Sequence, residues 1–303
     1  MRVFVTGASG WIGSAVVPEL VNAGHHVTGL ARSDASAAAL HAAGAEPVRG
    51  SLDDLDTLRG AAADADGVIH LAFKHEAAFS GDFPAAIEAD RIAIETIGEA
   101  LAGTGRPLVV ASGTLATEPG RLATEHDMPD PSVVQQGAAA RLSNAQLTLA
   151  LSDRGIRSSV VRLPPTVHGE GDHGFITTLV GIAREKGISG YIGEGANRWG
   201  AVHRSDAARL FRLALEQAPA GAVLHGTDDE GVPVRDIAEV IGRHLGVPAA
   251  AVPAEHFGWL GGFLFIDRAT SNTVTRELLG WEPTGPGLLE DLEKGHYFAA
   301  PGV

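Results

Sequence analysis

The chain has 303 residues, of which 45% are hydrophobic, and this is enough for one large core and a smaller appended lobe. It has no cysteine, which excludes disulfides, thiolate nucleophiles and cysteine-ligated metals. A formal charge of −14 disfavours nucleic acid and anionic membranes as partners. No apolar run has the length of a bilayer-spanning helix, and the first strand pattern begins at residue 2, so we expect a cytoplasmic protein without a signal peptide.

Strand and helix patterns alternate through the first half of the chain. Short apolar runs predict six strands, and longer amphipathic patterns predict five helices between them. Alternation of this kind indicates βαβ units and a parallel sheet covered on both faces, so the expected fold class is a doubly wound α/β Rossmann fold. The predicted strands are 2–6, 26–31, 46–49, 67–71, 107–112 and 157–163, and the predicted helices are 11–23, 34–43, 53–63, 83–102 and 133–153.

Three glycines follow the first predicted strand, at the point where its apolar run breaks. Gly7, Gly10 and Gly13 are evenly spaced, and a helix pattern begins at about Trp11. In such a strand-turn-helix unit the first glycine permits a tight turn and the second lets a phosphate approach the backbone. The third lets helix and strand pack closely. Free N–H groups at the helix start then offer partial positive charge to a pyrophosphate.

The T-G-x-x-G-x-x-G spacing resembles the short-chain dehydrogenase/reductase superfamily, in its extended or atypical branch. Among these proteins, the similarity is greatest to the members labelled NAD-dependent epimerase/dehydratase family proteins. The resemblance implies a Rossmann fold that binds a nicotinamide dinucleotide over this loop. The cofactor contacts that it implies there are Gly7, Ser9, Gly10, Trp11, Ile12 and Gly13.

Arg32 and Ser33 follow the second predicted strand, where NAD-binding folds usually place a carboxylate that binds the ribose 2′-hydroxyl. A guanidinium and a hydroxyl suit a 2′-phosphate instead. A charge-assisted hydrogen bond is worth about 1.5–3 kcal/mol, which would favour NADPH over NADH roughly tenfold to a hundredfold. The alternative is that Arg32 is a solvated surface charge and that Asp34 caps the next helix. We expect NADP(H) as the cofactor.

Two further strand ends carry cofactor contacts that the resemblance implies. Leu52 and Asp53 follow the third strand, where the superfamily places an acidic residue beside the adenine. The alternative is that Asp53 or Ser51 caps the next helix. The fourth strand closes at its carboxyl end, where ligands bind in open α/β sheets. The residues expected to line the cofactor there are Leu71, Ala72 and Phe73.

Ser112 and Thr114 end the fifth strand, and Ser112 matches the superfamily's substrate-orienting serine. The superfamily places Tyr-x-x-x-Lys on the next helix, but here Gly137 stands at the tyrosine position and Arg141 at the lysine position. Carbonyl reduction needs a proton donor beside the hydride acceptor. Glycine cannot donate, and arginine stays protonated. Arg141 can still bind the nicotinamide ribose, so we retain it as a cofactor contact and a candidate catalytic residue.

Three residues are candidates to supply the missing proton. His75 follows the fourth strand, and histidine has the ordinary pKa for acid/base work. His173 lies in a glycine-rich loop, 168–173, that also carries two carboxylates, and Tyr191 is one of only two tyrosines in the chain. The loop could ligate zinc or iron by its residue types, but it has no fixed helical spacing, so we expect no metal.

The second half resembles the same branch in three places, residues 160–169, 201–208 and 271–283. The first implies that Leu163 and Pro164 face the nicotinamide. By the resemblance, residues 1–163 and 201–223 form the dinucleotide-binding domain, and residues 164–200 and 224–303 form a split substrate lobe. The helices at 83–102 and 133–153 have wide apolar faces. These faces either make a homodimer interface or pack against the protein's own sheet.

These observations predict an NADP(H)-dependent oxidoreductase that acts on a small carbonyl or alcohol by hydride transfer with a non-standard proton donor. The related alternative is an epimerase or dehydratase that works through transient oxidation. The alternative from another class is a cofactor-binding sensor or interaction protein without turnover. Gly137 and Arg141 favour the sensor, whereas Ser112 and the histidine-rich loops favour the enzyme.

Overall fold

The structure is a computed structural model, and it describes residues 1–79, 81–116, 118, 120–129 and 141–299. Its centre is a sheet of seven strands in which all neighbouring pairs are parallel. These strands are β1 (Arg2–Thr6), β2 (His26–Ala31), β3 (Glu46–Arg49), β4 (Gly67–His70), β5 (Pro107–Gly113), β6 (Arg157–Leu163) and β10 (Ala222–His225).

The strand order β10-β6-β5-β4-β1-β2-β3 is that of a doubly wound dinucleotide-binding fold, so the predicted fold class is confirmed. Four of the six predicted strands have the predicted bounds. The fourth ends one residue earlier, at His70, and the fifth continues one residue further, to Gly113. The order reverses between β1 and β4, where Thr6 is paired with His70, and ligands bind at such a switch point.

Helices cover both faces of the sheet because strands buried on both sides need apolar partners on both. One face packs on Val16, Val17 and Leu20 of the helix Gly13–Asn22. It also packs on Leu210 and Phe211 of the helix Arg204–Gln217. The helices before the second lobe are α1 (Gly13–Asn22), α2 (Asp34–Ala42), α3 (Leu55–Asp64), α4 (His75–Phe79), α5 (Phe83–Leu101) and α6 (Arg141–Ala150). The first eight residues of the helix predicted at 133–153 lie outside the described residues.

The opposite face packs mainly on α3 and α5. Leu58 and Ala62 of α3 and Ile94, Ile97 and Leu101 of α5 are buried there. Part of the apolar face of α5, which was a candidate dimer interface, therefore packs in the protein's own core.

A separate hydrophobic cluster forms the second lobe, around Trp199, Ile237 and Phe257. Its strands are β7 (Thr166–His168), β8 (Ser189–Tyr191), β9 (Arg198–His203), β11 (Asp229–Pro233) and β12 (Ala249–Ala251). The remaining helices are α7 (Phe175–Lys186), α8 (Arg204–Gln217), α9 (Val234–Leu245), α10 (Gly261–Leu264), α11 (Thr273–Leu279) and α12 (Leu288–Glu293), with 3-10 turns at Leu151–Arg154, Ala254–Leu260 and His296–Phe298. No helix in the described ranges is both long enough and apolar enough to cross a membrane.

The two parts of the chain are more interleaved than the expected split at residue 223 suggests. Leu224 and His225 belong to β10 of the central sheet. Trp281 is fully buried in the core beside α8, where its indole N–H donates to Asp206 O at 3.0 Å. The C-terminal segment thus returns to the dinucleotide-binding core after building part of the second lobe.

Candidate functional site

The glycine loop has the geometry that its spacing predicts. Gly7 has φ +66°, and a Cβ built on it would lie 2.7 Å from Ala72 N. A Cβ on Gly13 would lie 2.1 Å from Gly7 O, so the helix can pack on the turn only without one. A Cβ on Gly10 would meet nothing closer than Gly7 O at 3.2 Å. A Cβ therefore clashes with the backbone at Gly7 and Gly13, whereas Gly10 is less crowded, with one tight contact to Gly7 O, and a phosphate can approach the backbone there.

Helix α1 begins at this loop without a side-chain cap, because Ile12 stands at the N-cap position. The N–H groups at its start, together with the helix dipole, have the arrangement that suits an anion. The residues predicted to contact the cofactor here all lie at the carboxyl end of β1, either in the turn or at the first position of α1. These residues are Gly7, Ser9, Gly10, Trp11, Ile12 and Gly13.

Trp11 joins the loop to the second lobe. Its indole N–H donates to Val167 O at 2.7 Å, and its ring meets the edge of the His173 ring at a centroid distance of 5.6 Å. The guanidinium carbon of Arg204 lies 4.1 Å from the centre of the Trp11 ring. His173 is thus brought to the cofactor loop, as its candidacy requires. Arg204 was missed by the sequence analysis, because nothing in its local pattern marks it.

At the end of β2, Ser33 and Arg32 have different surroundings. Ser33 is the N-cap of α2, where its hydroxyl accepts from Ser36 N at 3.1 Å. The alternative that Asp34 caps this helix is wrong, and Asp34 instead pairs with Arg49. Arg32 is exposed and has no hydrogen bond or ion pair within the described part of the chain. Its guanidinium is the group at this strand end that can take a 2′-phosphate.

Asp53 is not a helix cap. Asp54 caps α3, accepting from Thr57 N at 3.3 Å, so the alternative that assigned the cap to Asp53 or Ser51 is wrong. The Asp53 carboxylate accepts two hydrogen bonds from Lys74 Nζ, at 2.7 and 2.8 Å. This ion pair joins the ends of β3 and β4 beside Leu52, which is buried. Lys74 directly follows the predicted contact Phe73, and its position could have indicated this role.

A buried hydrogen-bond network holds the end of β4. Ala72 N donates to Thr6 Oγ1 at 3.3 Å, and Thr6 Oγ1 lies 2.8 Å from His70 Nδ1. His70 Nε2 lies 3.1 Å from Asp90 Oδ1, and Asn144 Nδ2 donates to Asp90 Oδ2 at 2.7 Å. A carboxylate only accepts, so the contact between His70 and Asp90 places a proton on His70 Nε2.

The Asp90 carboxylate is the charged centre of this network. Burial alone would raise its pKa, but the hydrogen bond and charge of His70, the Arg141 charge and Asn144 outweigh burial, and the net pKa is lowered. The sequence analysis missed Asp90 and Asn144. A carboxylate within the apolar stripe of α5, between Ala86 and Ala93, was the available signal.

Phe73, His75 and Arg141 come together beside the network. The Arg141 guanidinium carbon lies 4.0 Å from the centre of the Phe73 ring, and the Phe73 and His75 rings are 5.1 Å apart. Burial lowers the pKa of Arg141 and the Asp90 charge opposes this. His75 lies at the exposed rim, where partial burial, then the charges of Arg141 and His173, lower its pKa to about 4. His75 is therefore neutral at physiological pH.

Ser112 and Thr114 stand at the carboxyl end of β5. Both side chains are buried, and neither hydroxyl has a hydrogen-bond partner among the described residues. Thr114 N donates to Leu163 O at 2.9 Å, which places Leu163 and Pro164, the predicted nicotinamide contacts, beside this pair. Ser158, Ser159 and Thr227 also have buried hydroxyls without described partners, so what distinguishes Ser112 and Thr114 is their place at the carboxyl end of β5, the sheet edge where ligands bind in open α/β folds.

Comparison with known proteins agrees with this geometry. Residues 3–225 match the NAD dependent epimerase/dehydratase family. The chain belongs to this family. A protein of Schizosaccharomyces pombe that is named only as uncharacterised is 46% identical over 304 residues, covering 98% of this chain and all of that protein.

Two further comparisons concern proteins with named activities. A 4-hydroxy-2-methyl-3-oxo-4-farnesyl-3,4-dihydroquinoline-1-oxide ketoreductase of Stigmatella aurantiaca is 29% identical, covering 85% of this chain and 80% of that one. The structure of the dTDP-glucose 4,6-dehydratase DesIV from Streptomyces venezuelae, with NAD bound, has a TM-score of 0.78 at 20% identity, covering 98% and 97% of the two chains. The structural likeness supports the fold.

In this epimerase/dehydratase family member, neither tyrosine contacts Ser112 or Thr114. Tyr191 packs in the second lobe under the Arg235 guanidinium, 5.1 Å from the ring centre, so the structure does not bring this candidate to the other site residues. Tyr297 instead holds the loop that carries His173. Its hydroxyl accepts from Gly169 N and donates to Asp172 Oδ2, both at 3.1 Å. Burial, and then the Asp172 charge, raise the Tyr297 pKa.

The superfamily's tyrosine position, Gly137, lies outside the described residues. Within the described part of the chain, no three histidine or carboxylate side chains are arranged to hold a metal ion.

Proposed function

We propose that the protein is an NADP(H)-dependent oxidoreductase that transfers hydride to or from a small carbonyl or alcohol carbon. The observation that carries this proposal is the pair of buried, unpartnered hydroxyls of Ser112 and Thr114, at the same sheet edge as the glycine loop. Two such donors suit a carbonyl oxygen, whose charge grows during reduction. The ketoreductase activity named for the Stigmatella relative has the same class of substrate.

The chain's own residues fit a dinucleotide. The uncapped start of α1 and the absence of a side chain at Gly10 suit its pyrophosphate. Arg32 suits the 2′-phosphate of NADP(H), and Asp53 suits the adenine amino group. Against a net charge of −14, these local groups must supply the attraction for an anionic cofactor. When bound, the nicotinamide supplies or accepts the hydride.

The proton must come from a residue other than tyrosine. We assign this role to His173, which meets Trp11 of the cofactor loop at a ring distance of 5.6 Å. His75 has a pKa lowered to about 4, so at neutral pH it can accept a proton in the oxidation direction but has none to donate. Arg141 keeps its positive charge, and its guanidinium lies over the Phe73 ring. It would stabilise negative charge that develops on a substrate beside this ring.

The rival proposal is a cofactor-binding sensor without turnover. Gly137 favours it, because a glycine at the superfamily's tyrosine position cannot donate a proton. An epimerase or dehydratase differs from both, since it would retain its cofactor and show no net consumption of NADPH.

Fluorescence titration with NADPH and with NADH, followed by NADPH consumption with a panel of small carbonyls, tests the proposal. We expect tight NADPH binding and steady consumption. The double variant Ser112→Ala, Thr114→Val should retain NADPH binding and lose turnover. NADPH binding without consumption of any carbonyl supports the sensor. Conversion of a substrate without net NADPH consumption supports the epimerase or dehydratase. Binding of neither nucleotide contradicts all three.

A homodimer through α5 and α6 is also proposed. Ile94, Ile97 and Leu101 are used in the core, but Ile87 and Leu142 are only partly buried. Sedimentation of the wild type and of an Ile87→Glu variant tests this, because a charge at a dimer interface should give the monomer mass.

A further inference from the structure

Arg268 is a largely buried cation without a carboxylate partner among the described residues. Its Nη1 donates to Thr114 O at 3.0 Å, while its Nε is buried and has no hydrogen-bond partner. The neighbouring carboxylate, Asp267, points elsewhere. It binds Arg198 Nη2 at 2.9 Å and accepts from Gly120 N at 2.9 Å. Burial lowers the pKa of Arg268 to about 10, so it still carries its charge at neutral pH.

An uncompensated buried charge is costly, so its retention needs a reason. The bond to Thr114 O is a single contact with a neutral acceptor and leaves most of the guanidinium fork unused. An anion supplied by a ligand would complete this environment.

One aromatic ring covers the guanidinium, and further rings pack beside it. Its central carbon lies 4.5 Å from the centre of the Phe263 ring. Phe263 lies 4.9 Å from Phe175, and Phe175 lies 6.0 Å from Trp259, whose surface is 60% exposed. We call Phe175, Trp259 and Phe263 the aromatic cluster. The sequence analysis missed it, because Phe175 and Trp259 are far apart in the chain. Trp259 is exposed, whereas Phe175 and Phe263 are partly buried and also pack on the buried Trp199. An exposed ring that continues into partly buried ones is typical of surfaces that bind planar apolar groups.

The position of Arg268 connects the aromatic cluster to the hydroxyl pair. Arg268 Nη1 binds the carbonyl of Thr114, the residue whose own hydroxyl is unpartnered. A Cβ built on Gly200 would lie 3.2 Å from Pro164 Cβ and 3.5 Å from Arg268 O, so Arg268 also lies beside a predicted nicotinamide contact.

We propose that Arg268 and the aromatic cluster form a substrate subsite that binds a carboxylate carried on a planar apolar body. The inference rests on the proposed function, because it takes the Ser112–Thr114 pair as the place of the reacting carbonyl. It narrows the substrate class to unsaturated or aromatic carbonyl acids. A carboxylate fits better than a phosphate dianion, because one guanidinium balances one charge and the adjacent Arg198 is already paired with Asp267.

Calorimetric titration of the NADPH-saturated protein tests the subsite without turnover. The probes are benzoate, benzamide, acetate and phenyl phosphate. We expect benzoate to bind roughly tenfold to a hundredfold more tightly than benzamide, since a charge-assisted hydrogen bond is lost with the amide. Acetate should bind more weakly than benzoate. Arg268→Gln should remove the preference for benzoate over benzamide, and Arg268→Lys should restore part of it.

The controls separate this inference from misfolding and from the proposed function. Arg235→Gln, on a partly buried arginine of the same lobe that pairs with Glu194, should leave benzoate binding unchanged. The comparison of benzoate with benzamide on the wild type needs no variant, so it remains informative if Arg268→Gln does not fold. Equal binding of the two probes, or much tighter binding of phenyl phosphate, overturns the carboxylate subsite. Arg268-dependent benzoate binding with no turnover of any carbonyl acid retains the subsite and overturns the proposed function.

Discussion

Asp90 accepts a hydrogen bond from His70 Nε2 at 3.1 Å, and through this contact helix α5 supports the end of β4 at the point where the strand order reverses. The pair lies one hydrogen bond from Thr6, the last residue before the glycine loop. A network of this kind fixes the backbone at Ala72, which packs against Gly7. The shape of the glycine loop therefore depends on a carboxylate of α5 that lies outside the loop.

Replacing this carboxylate should destabilise the protein. Asp90→Asn removes the charge that His70, Asn144 and Arg141 stabilise, so we expect the free energy of unfolding to fall by about 1.5–3 kcal/mol. The effect is measured by urea denaturation. Glu88→Gln on the same helix is the control, because its pair with Arg91 is exposed and should contribute nothing measurable.

The pH dependence follows from the direction of the Asp90 shift. Its pKa is lowered in the folded state, so its contribution is present above the unfolded-state pKa and is lost as pH falls through the folded-state pKa. The wild type should lose this part of its stability below about pH 4. Identical acid profiles for the wild type and Asp90→Asn would contradict the assignment of a charged Asp90.

The glycines of the loop should respond differently to one added methyl group. Gly13→Ala places a Cβ 2.1 Å from Gly7 O and should lower the free energy of unfolding by about 1–3 kcal/mol or more. Gly10→Ala brings a Cβ to 3.2 Å from Gly7 O, a tight contact that should lower the melting temperature less than Gly13→Ala does, and it should bind NADPH roughly tenfold more weakly or worse. Melting curves and NADPH titrations separate the two effects. Gly60→Ala, which meets nothing within 4 Å, is the control.

Local pattern was enough to predict six of the seven strands of the sheet, but not β10 at its edge. The strands at 2–6, 26–31, 46–49 and 157–163 are short runs bounded by glycine, turn and helix signals, and such runs can be recognised without tertiary information. The glycine loop was predictable for the same reason, since its three positions follow from one turn.

Contacts between distant parts of the chain could not be predicted in this way. Two adjacent aspartates at 53 and 54 fit a helix cap equally well, and only the position of Lys74 shows which one is free to bind it. Of the two tyrosines, the one 125 residues from Asp172 holds the loop that carries His173. Arg268 lacks a carboxylate partner among the described residues because the adjacent Asp267 binds Arg198, and local sequence does not indicate this.

Arg32 should determine the choice between the two nucleotides. Arg32→Gln should weaken NADPH binding roughly tenfold to a hundredfold and leave NADH binding unchanged, because only NADPH carries the 2′-phosphate. The two dissociation constants, measured by fluorescence titration at fixed ionic strength, check this. Arg59→Gln is a matched control, since that arginine already pairs with Asp56. An equal loss for both nucleotides would indicate a general effect of charge rather than recognition of the phosphate.

His75 should titrate far below an ordinary histidine. Its pKa is lowered from 6.5 to about 4, so its imidazole signals in an NMR titration should show no protonation between pH 5 and 8. Arg141→Gln should raise this pKa, because the guanidinium charge is the second cause of the shift. The pKa should remain below 6.5, because burial, the largest cause, persists. A wild-type pKa near 6.5 would contradict the placement of His75 beside Arg141 and restore it as a proton donor.

The lowered pKa of His75 also makes the free energy of unfolding depend on pH. The direction of this dependence is opposite to that of a histidine paired with a carboxylate. Between pH 6.5 and about 4 the unfolded chain takes up the proton at His75 while the folded protein does not, so stability falls as the pH is lowered through this range. His75→Gln removes this uptake and should flatten the profile there. Urea denaturation at several pH values checks it. Because the range lies above that of Asp90, the two variants should flatten different parts of the same curve. A single shared range would mean that the two groups titrate as one coupled unit.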